Sequence, residues 1–314
     1  MRIILLAVFF IFISLEESKT QNYYGDSESN VFDFSINSKG NLIALPFESK
    51  IELWTIENPR LVSEFKEIHT NSIRAINFSN SGNFIVSGGK DSLLVVWDSK
   101  SGLPLFEAKP HSGIILSVKF SPNDKFIASA ATDKNVVITD SKTGEIITVF
   151  KGHTDDVLDV EFIDDNLIAT CSADGSIIIW ELSLRKKINQ WLAHKTWVRD
   201  ISVSPNRTKI LSCGDDGRIK QWDISNLADI QLLAEQKVAT NWLTTIDCSD
   251  DNSFGFAGHN KRIKIVTPFN IYTLRLKCYI NKIEFIPDRK YMSLIIATYG
   301  GGIFHYDARE MKAK

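Results

Sequence analysis

From Val157 to Phe162 the chain reads VLDVEF, with apolar and polar residues in alternation. A polar turn, IDDN, follows, then LIATCSA, the tight turn DGS, IIIWEL and, after SLRK, the run INQWLA. Short segments of period two, separated by Gly, Asp and Asn turns, predict four antiparallel strands. No window of helical period is long enough to compete.

The same grammar recurs along the chain. Its anchors are Trp54, Trp97, Thr139, Trp180, Trp222, Val266 and Tyr306, spaced 40 to 44 residues apart. A four-stranded unit cannot bury both of its faces alone, so neighbouring copies must stack. Seven copies predict an all-β fold, a single seven-bladed β-propeller of four-stranded antiparallel blades over residues 21–314. The stretches IHTNSIRAINF…VSGGKDSLLVVWD, PHSGIILSVKFSPNDKFIASAATDKNVVITD, GHTDDVLDVEF…ATCSADGSIIIWE and AHKTWVRDISVSPNRTKILSCGDDGRIKQWD resemble WD repeats. The resemblance covers residues 69–223 closely and the first and last two copies more weakly. It implies a binding platform without chemistry of its own.

One repeat taken alone invites a different reading. His153, Asp174 and Thr170 are the residue types of a hydrolytic triad. However, His153, Thr170, Asp174 and Trp180 recur as His69, Ser87, Asp91 and Trp97, and as His194, Ser212, Asp216 and Trp222. A third set has His111, Ser129 and Asp133, with Thr139 in the tryptophan place. A catalytic site is needed once, whereas a device repeated in consecutive blades is structural. The resemblance implies that each tetrad forms a hydrogen-bond chain inside its blade, which would satisfy buried indole, imidazole and carboxylate groups together. The other copies lack the set. They read Ala44, Glu48, Trp54 in the first, Phe256, Asn260, Val266 in the sixth and Ile296, Gly300, Tyr306 in the seventh, so packing is expected to hold the sixth blade. His259 and His305 fall outside the tetrads and read as solvated or packed residues with no visible partner.

Bulk properties narrow the function. The chain has 314 residues with a formal net charge of −2, and no basic block marks a nucleic-acid surface. Cys171, Cys213, Cys248 and Cys278 form no CxxC pair, so neither zinc nor another cofactor is expected. Cys171 and Cys213 are equivalent positions of adjacent copies, too far apart for a disulfide, and all four cysteines read as small buried hydrophobes.

The N-terminus departs from the repeat pattern. Arg2 precedes an unbroken apolar run from Ile3 to Ile13, with Ser18 and Thr20 before Gln21. That length is too short for a membrane span and matches a signal-peptide core, so residues 1–20 read as a signal peptide and the protein as extracytoplasmic, secreted or periplasmic. The alternative is a cytoplasmic protein whose start is misassigned. Few residues follow Tyr306, so the last blade needs a strand from elsewhere. Its slot maps to residues 17–24, with the terminal REMKAK as a second source.

If the tetrads are structural, function belongs to the loops and rims. Three residues after the tetrad histidine, the seven copies read Glu28, Ser72, Ile114, Asp156, Trp197, Trp242 and Tyr279. Two positions further they read Asn30, Arg74, Leu116, Leu158, Arg199, Thr244 and Asn281. The resemblance places these positions at the top face, near the central channel. Val198, Leu243 and Ile280 fill the intervening apolar slots, so Trp197, Trp242 and Tyr279 should point the other way. Trp, Tyr and Arg dominate binding hot spots. Trp197, Arg199, Trp242, Tyr279 and Asn281 are therefore the expected contact with a protein partner, by a monomer acting within a complex. Two other readings compete with an exported scaffold. One is an intracellular adaptor subunit. The other is an extracytoplasmic glycan-binding or hydrolytic propeller, for which His259 with Asp156 or Glu28 is the one acid–base candidate.

Overall fold

A computed structural model describes residues 12–15, 22–24, 30–250, 252–287, 293–300 and 302–307. These residues contain seven separate sheets arranged as the blades of a propeller. Blade four shows the pattern, with strands Val157–Phe162, Leu167–Ser172, Ser176–Glu181 and Lys186–Leu192 running from the inner edge to the outer. All of its pairings are antiparallel. Burial follows the alternation read from the sequence: Val157, Val160, Ile168, Ile178 and Trp180 are sequestered, while the outer strand is largely exposed.

The hydrophobic core is divided between the blades. Seven apolar clusters each draw on two neighbours. In the cluster between blades three and four, for instance, Ala128, Val136 and Phe150 meet Val157, Val160 and Ile168. A repeat thus buries its faces only when the next one is present.

A second device ties the ring together at the channel. Each inner strand is a sheet edge with free backbone N–H groups, which cost free energy if left unpaired. Side chains of the preceding blade accept from them. Asp33 accepts from Ile76 N at 2.7 Å, Asn77 from Phe120 N at 3.0 Å and Asp200 from Ile246 N at 2.8 Å. Thr245 accepts from Ile283 N at 3.2 Å, and Asp247 from Phe285 N at 2.8 Å.

Ring closure uses the chain's beginning. Asn22–Tyr24 pairs antiparallel with Ile303–Asp307, so that Tyr24 faces Ile303. The strand is short and lies at the end of the slot expected from register, whereas the terminal REMKAK lies outside the described residues. Tyr24 is fully buried, donates its hydroxyl to the Ile56 carbonyl at 2.8 Å and meets Trp54 edge to face. It thereby clasps blade seven to blade one. Phe12–Leu15, inside the apolar N-terminal run, adds a fifth strand to blade six by pairing in parallel with Ile271–Arg275. The rest of the segment read as a signal lies outside the described residues. No helix among those described is long and apolar enough to cross a membrane.

Two expectations need correction. Cys171 and Cys213 are buried, and burial pushes both thiols up, but Cys248 and Cys278 are only partly covered. Cys248 stands on the channel wall, where its strand passes between the polar side chains that join blades. His305 does not lack a partner either, since its Nε2 lies 2.8 Å from the Ser293 hydroxyl.

Candidate functional site

Blade two shows what the tetrads are. His69 Nδ1 lies 3.1 Å from Asp91, and Nε2 lies 2.8 Å from Ser87 Oγ. The Trp97 indole donates to the same hydroxyl at 2.9 Å. The carboxylate accepts from the neutral ring's Nδ1–H, so Nε2 accepts in turn from the serine hydroxyl. Asp91 also accepts from Thr70 N and Leu93 N, which anchors the loop entering the inner strand. Blade four repeats the chain through His153, Asp174, Thr170 and Trp180, and blade five through His194, Asp216, Ser212 and Trp222. In blade three His111, Asp133 and Ser129 are joined, while the Thr139 hydroxyl is buried without a hydrogen-bond partner.

The order of atoms matches a hydrolytic triad, and access is what separates the two. Ser87, Ser129, Thr170 and Ser212 are all fully buried, and in three of the blades an indole also occupies the hydroxyl. No substrate carbonyl can reach these oxygens. Burial depresses the pKa values of His69, His111 and His194 despite their aspartate partners, so the imidazoles remain neutral. Burial raises the Asp91 and Asp133 carboxyls, but their histidine partners and backbone N–H donors outweigh it and hold both below the usual range.

The turn carrying each tetrad aspartate needs a left-handed residue next. Gly175 takes it in blade four at φ 82°, where a Cβ would come within 2.6 Å of the His194 carbonyl. Lys261 occupies the equivalent place in blade six at φ 59°.

At the top of blades five to seven the sequence-predicted residues meet. Val198, Leu243 and Ile280 are fully buried, and their alternation partners turn outward: Trp197 is 40 %, Trp242 48 % and Tyr279 41 % exposed. Arg199, from the inner strand of blade five, and His259, from the blade-six turn, stand between the three aromatics. The Arg199 guanidinium lies 4.4 Å from the Trp197 ring centroid and 5.4 Å from that of Trp242. Asp215 holds it with two parallel bonds of 2.6 and 2.9 Å. His259 sits between Trp242 and Tyr279, at centroid distances of 5.1 and 4.7 Å, nearly parallel to Tyr279. Lys261 Nζ closes the row 4.8 Å from the Tyr279 ring. Cation–π and aromatic contacts thus form one ladder across three blades.

His259 and Lys261 are the members sequence reasoning missed. The signal was present: both lie in the blade-six turn that stands where blades two to five carry the tetrad aspartate. Burial and the nearby Arg199 lower the His259 pKa, so the ring enters the ladder uncharged. Asn281 is placed differently, since its amide donates to the Val31 carbonyl of blade one at 2.7 Å and belongs to ring closure. The acid–base candidate does not assemble. Glu28 lies outside the described residues, and Asp156 on blade four shares no hydrogen bond or ion pair with His259 among those described.

The channel beneath is a cavity of about 380 Å³ walled by charged side chains. Lys119 pairs with Glu161 at 2.6 Å, and Lys282 pairs with Asp33. Burial raises Glu161, Glu284 and, most strongly, Asp200, beside which Asp159 adds repulsion. The Asp247 carboxyl is pushed up to about 7.

A propeller with buried, repeated tetrads and a row of accessible aromatics on three adjacent blades defines a class of binding scaffold. Residues 60–98, 102–140, 144–181 and 185–223 each match the family model described as WD domain, G-beta repeat, and the chain belongs to the WD-repeat β-propeller family. It is 31 % identical over 99 residues to target of rapamycin complex subunit wat1 of Schizosaccharomyces pombe, covering 31 % of this chain and 30 % of that protein. It is 40 % identical over 60 residues to nuclear distribution protein PAC1 of Arthroderma benhamiae, covering 19 % and 13 %. It is 32 % identical over 68 residues to DDB1- and CUL4-associated factor 10 of Homo sapiens, covering 21 % and 12 %. Each match spans less than a third of the relative.

Proposed function

We propose that this protein is a non-catalytic adaptor subunit, which holds a protein partner on the top face of blades five to seven. The observation that carries the reading is the ladder of Trp197, Arg199, Trp242, His259 and Tyr279. It combines the side-chain types that dominate hot spots with exposure and a rigid base of inner strands. The relatives support the class, as their names describe a complex subunit and an associated factor.

Those names, together with four free cysteines, support work inside the cell over export. The export reading draws no support from these relatives. Ring closure accommodates either form, because Asn22–Tyr24 lies beyond Gln21. Mass spectrometry of native protein decides: an intact Met1 fits the adaptor, and a chain beginning at Gln21 returns the protein to the exported class.

The Trp197→Ala, Trp242→Ala double variant tests the surface. Loss of one such anchor typically costs about 2 kcal/mol, roughly thirtyfold in affinity. The expected result is a folded variant that no longer recovers the partner in a pull-down. Undiminished recovery by a folded double variant removes the ladder as the contact.

A further inference from the structure

Beside the ladder lies a cleft of about 640 Å³ whose wall includes Lys237, His259, Asn260, Lys261, Arg262 and Tyr279. No carboxylate lines it. Cations nearby on blade five are treated differently. Arg199 pairs with Asp215, and Arg218 and Lys220 share Glu235. The side chains of Lys237, Lys261 and Arg262 have no ion-pair partner among the described residues. On a chain whose net charge is −2, three unneutralised cations along one cleft are a local departure.

We infer that this cleft binds an acidic, extended segment of the partner, rich in Asp and Glu, running alongside the aromatic ladder; the inference rests on that ladder being the docking face. Charge complementarity selects the occupant. A phosphate group is best held by donors that converge on one point, commonly guanidinium forks or backbone N–H nests. Here Lys237 ends the outer strand of blade five, Arg262 begins the third strand of blade six and Lys261 sits in the turn before it. Charges set on separate strands suit several single carboxylates spaced along a peptide. Tyr279 and His259 belong to both cleft and ladder, so one segment can place an apolar side chain on the rings and its acids in the cleft.

The test is fluorescence anisotropy with labelled peptides carrying one central Trp among glutamates, among glutamines, or among phosphoserines. The glutamate peptide should bind about tenfold or more tighter than the glutamine peptide, with the advantage shrinking as salt is raised. The variants Lys261→Glu, Arg262→Glu and Lys237→Glu, Arg262→Glu should each erase that advantage. The second pair leaves the left-handed Lys261 untouched. A control pair, Lys39→Glu, Lys100→Glu, alters two lysines of a cleft between blades one and two and should leave the advantage intact. The inference falls if the glutamate and glutamine peptides bind alike, if neither binds, if the control pair has the same effect, or if the phosphoserine peptide is preferred. Trp197→Ala, Trp242→Ala separates the two claims. It should weaken both peptides yet keep their ratio, and a ratio that persists with no weakening overturns the ladder alone.

Discussion

Blades two to five and blades six, seven and one solve the same packing problem by different means. The first group ties its top loop to its sheet through histidine, hydroxyl and aspartate, with the tryptophan in three of the four. The second group lacks these tetrads. Blade six puts Phe256 where the hydroxyl would be, nearly fully buried against Ile246 and Leu243. Blade seven fills the place with Ile296, and blade one is clasped by Tyr24. Where the tetrad histidine and aspartate are absent, the turn residues are free for the surface. His259 and Lys261 stand in the turn that a tetrad would have committed, and both join the ladder instead. Blade five keeps its tetrad and still presents Trp197 and Arg199, so the missing tetrad of blade six accounts for the turn members His259 and Lys261 alone.

Substitutions can break this contrast, and the largest effect is expected in blade six. Phe256→Ala should cost about 3–5 kcal/mol, because it opens a cavity at a place held by packing alone. Urea denaturation measures it, and a cost below about 1 kcal/mol would mean that the blade does not depend on this ring. Asp174→Ala comes next. It leaves His153 and the Thr154 N–H without their acceptor, for a loss of about 1–3 kcal/mol, whereas Asn260→Ala at the matching place in blade six should move stability by about half a kcal/mol or less. Equal losses would erase the distinction between the two groups.

The pH dependence should differ in sign between the tetrad histidines and the buried acids of the channel. The pKa values of His69, His111 and His194 are depressed, so their contribution is present above about pH 6.5 and is lost as the pH falls below it, where the unfolded chain takes up protons first. Asp247 of blade six is opposite. Burial raises it to about 7, so its contribution is present below the ordinary carboxylate value, about pH 4, and is lost as the pH rises to 7. Asp247→Asn should therefore be more stable than the wild type at pH 8, with a gain that shrinks toward pH 4. Denaturation midpoints across that range test it, and a gain independent of pH would remove the titration as its cause. The smallest effect belongs to blade three. Thr139→Val removes a buried hydroxyl without a partner at nearly constant volume and should stabilise by about 1 kcal/mol. No gain in melting temperature would mean that the hydroxyl is satisfied in solution.

The sequence by itself determined the repeat, the four-strand grammar, the tetrads and the outward direction of Trp197, Trp242 and Tyr279. Each depends on spacing within one blade, and period-two alternation states which way a side chain points. Only the tertiary structure decided what each side chain meets. Arg199 was legible as a neighbour of the aromatics but not as the bridge between two of them, since that depends on how blade six is set against blade five. His259 looked solitary because its partners belong to two successive loop crossings. Asn281 looked like part of the surface, yet its amide reaches Val31 across the closure, 250 positions away in sequence. Blade-to-blade placement comes from the stacking of seven apolar clusters and from the polar side chains that cap each neighbour's inner edge. A pattern confined to one repeat carries no record of it.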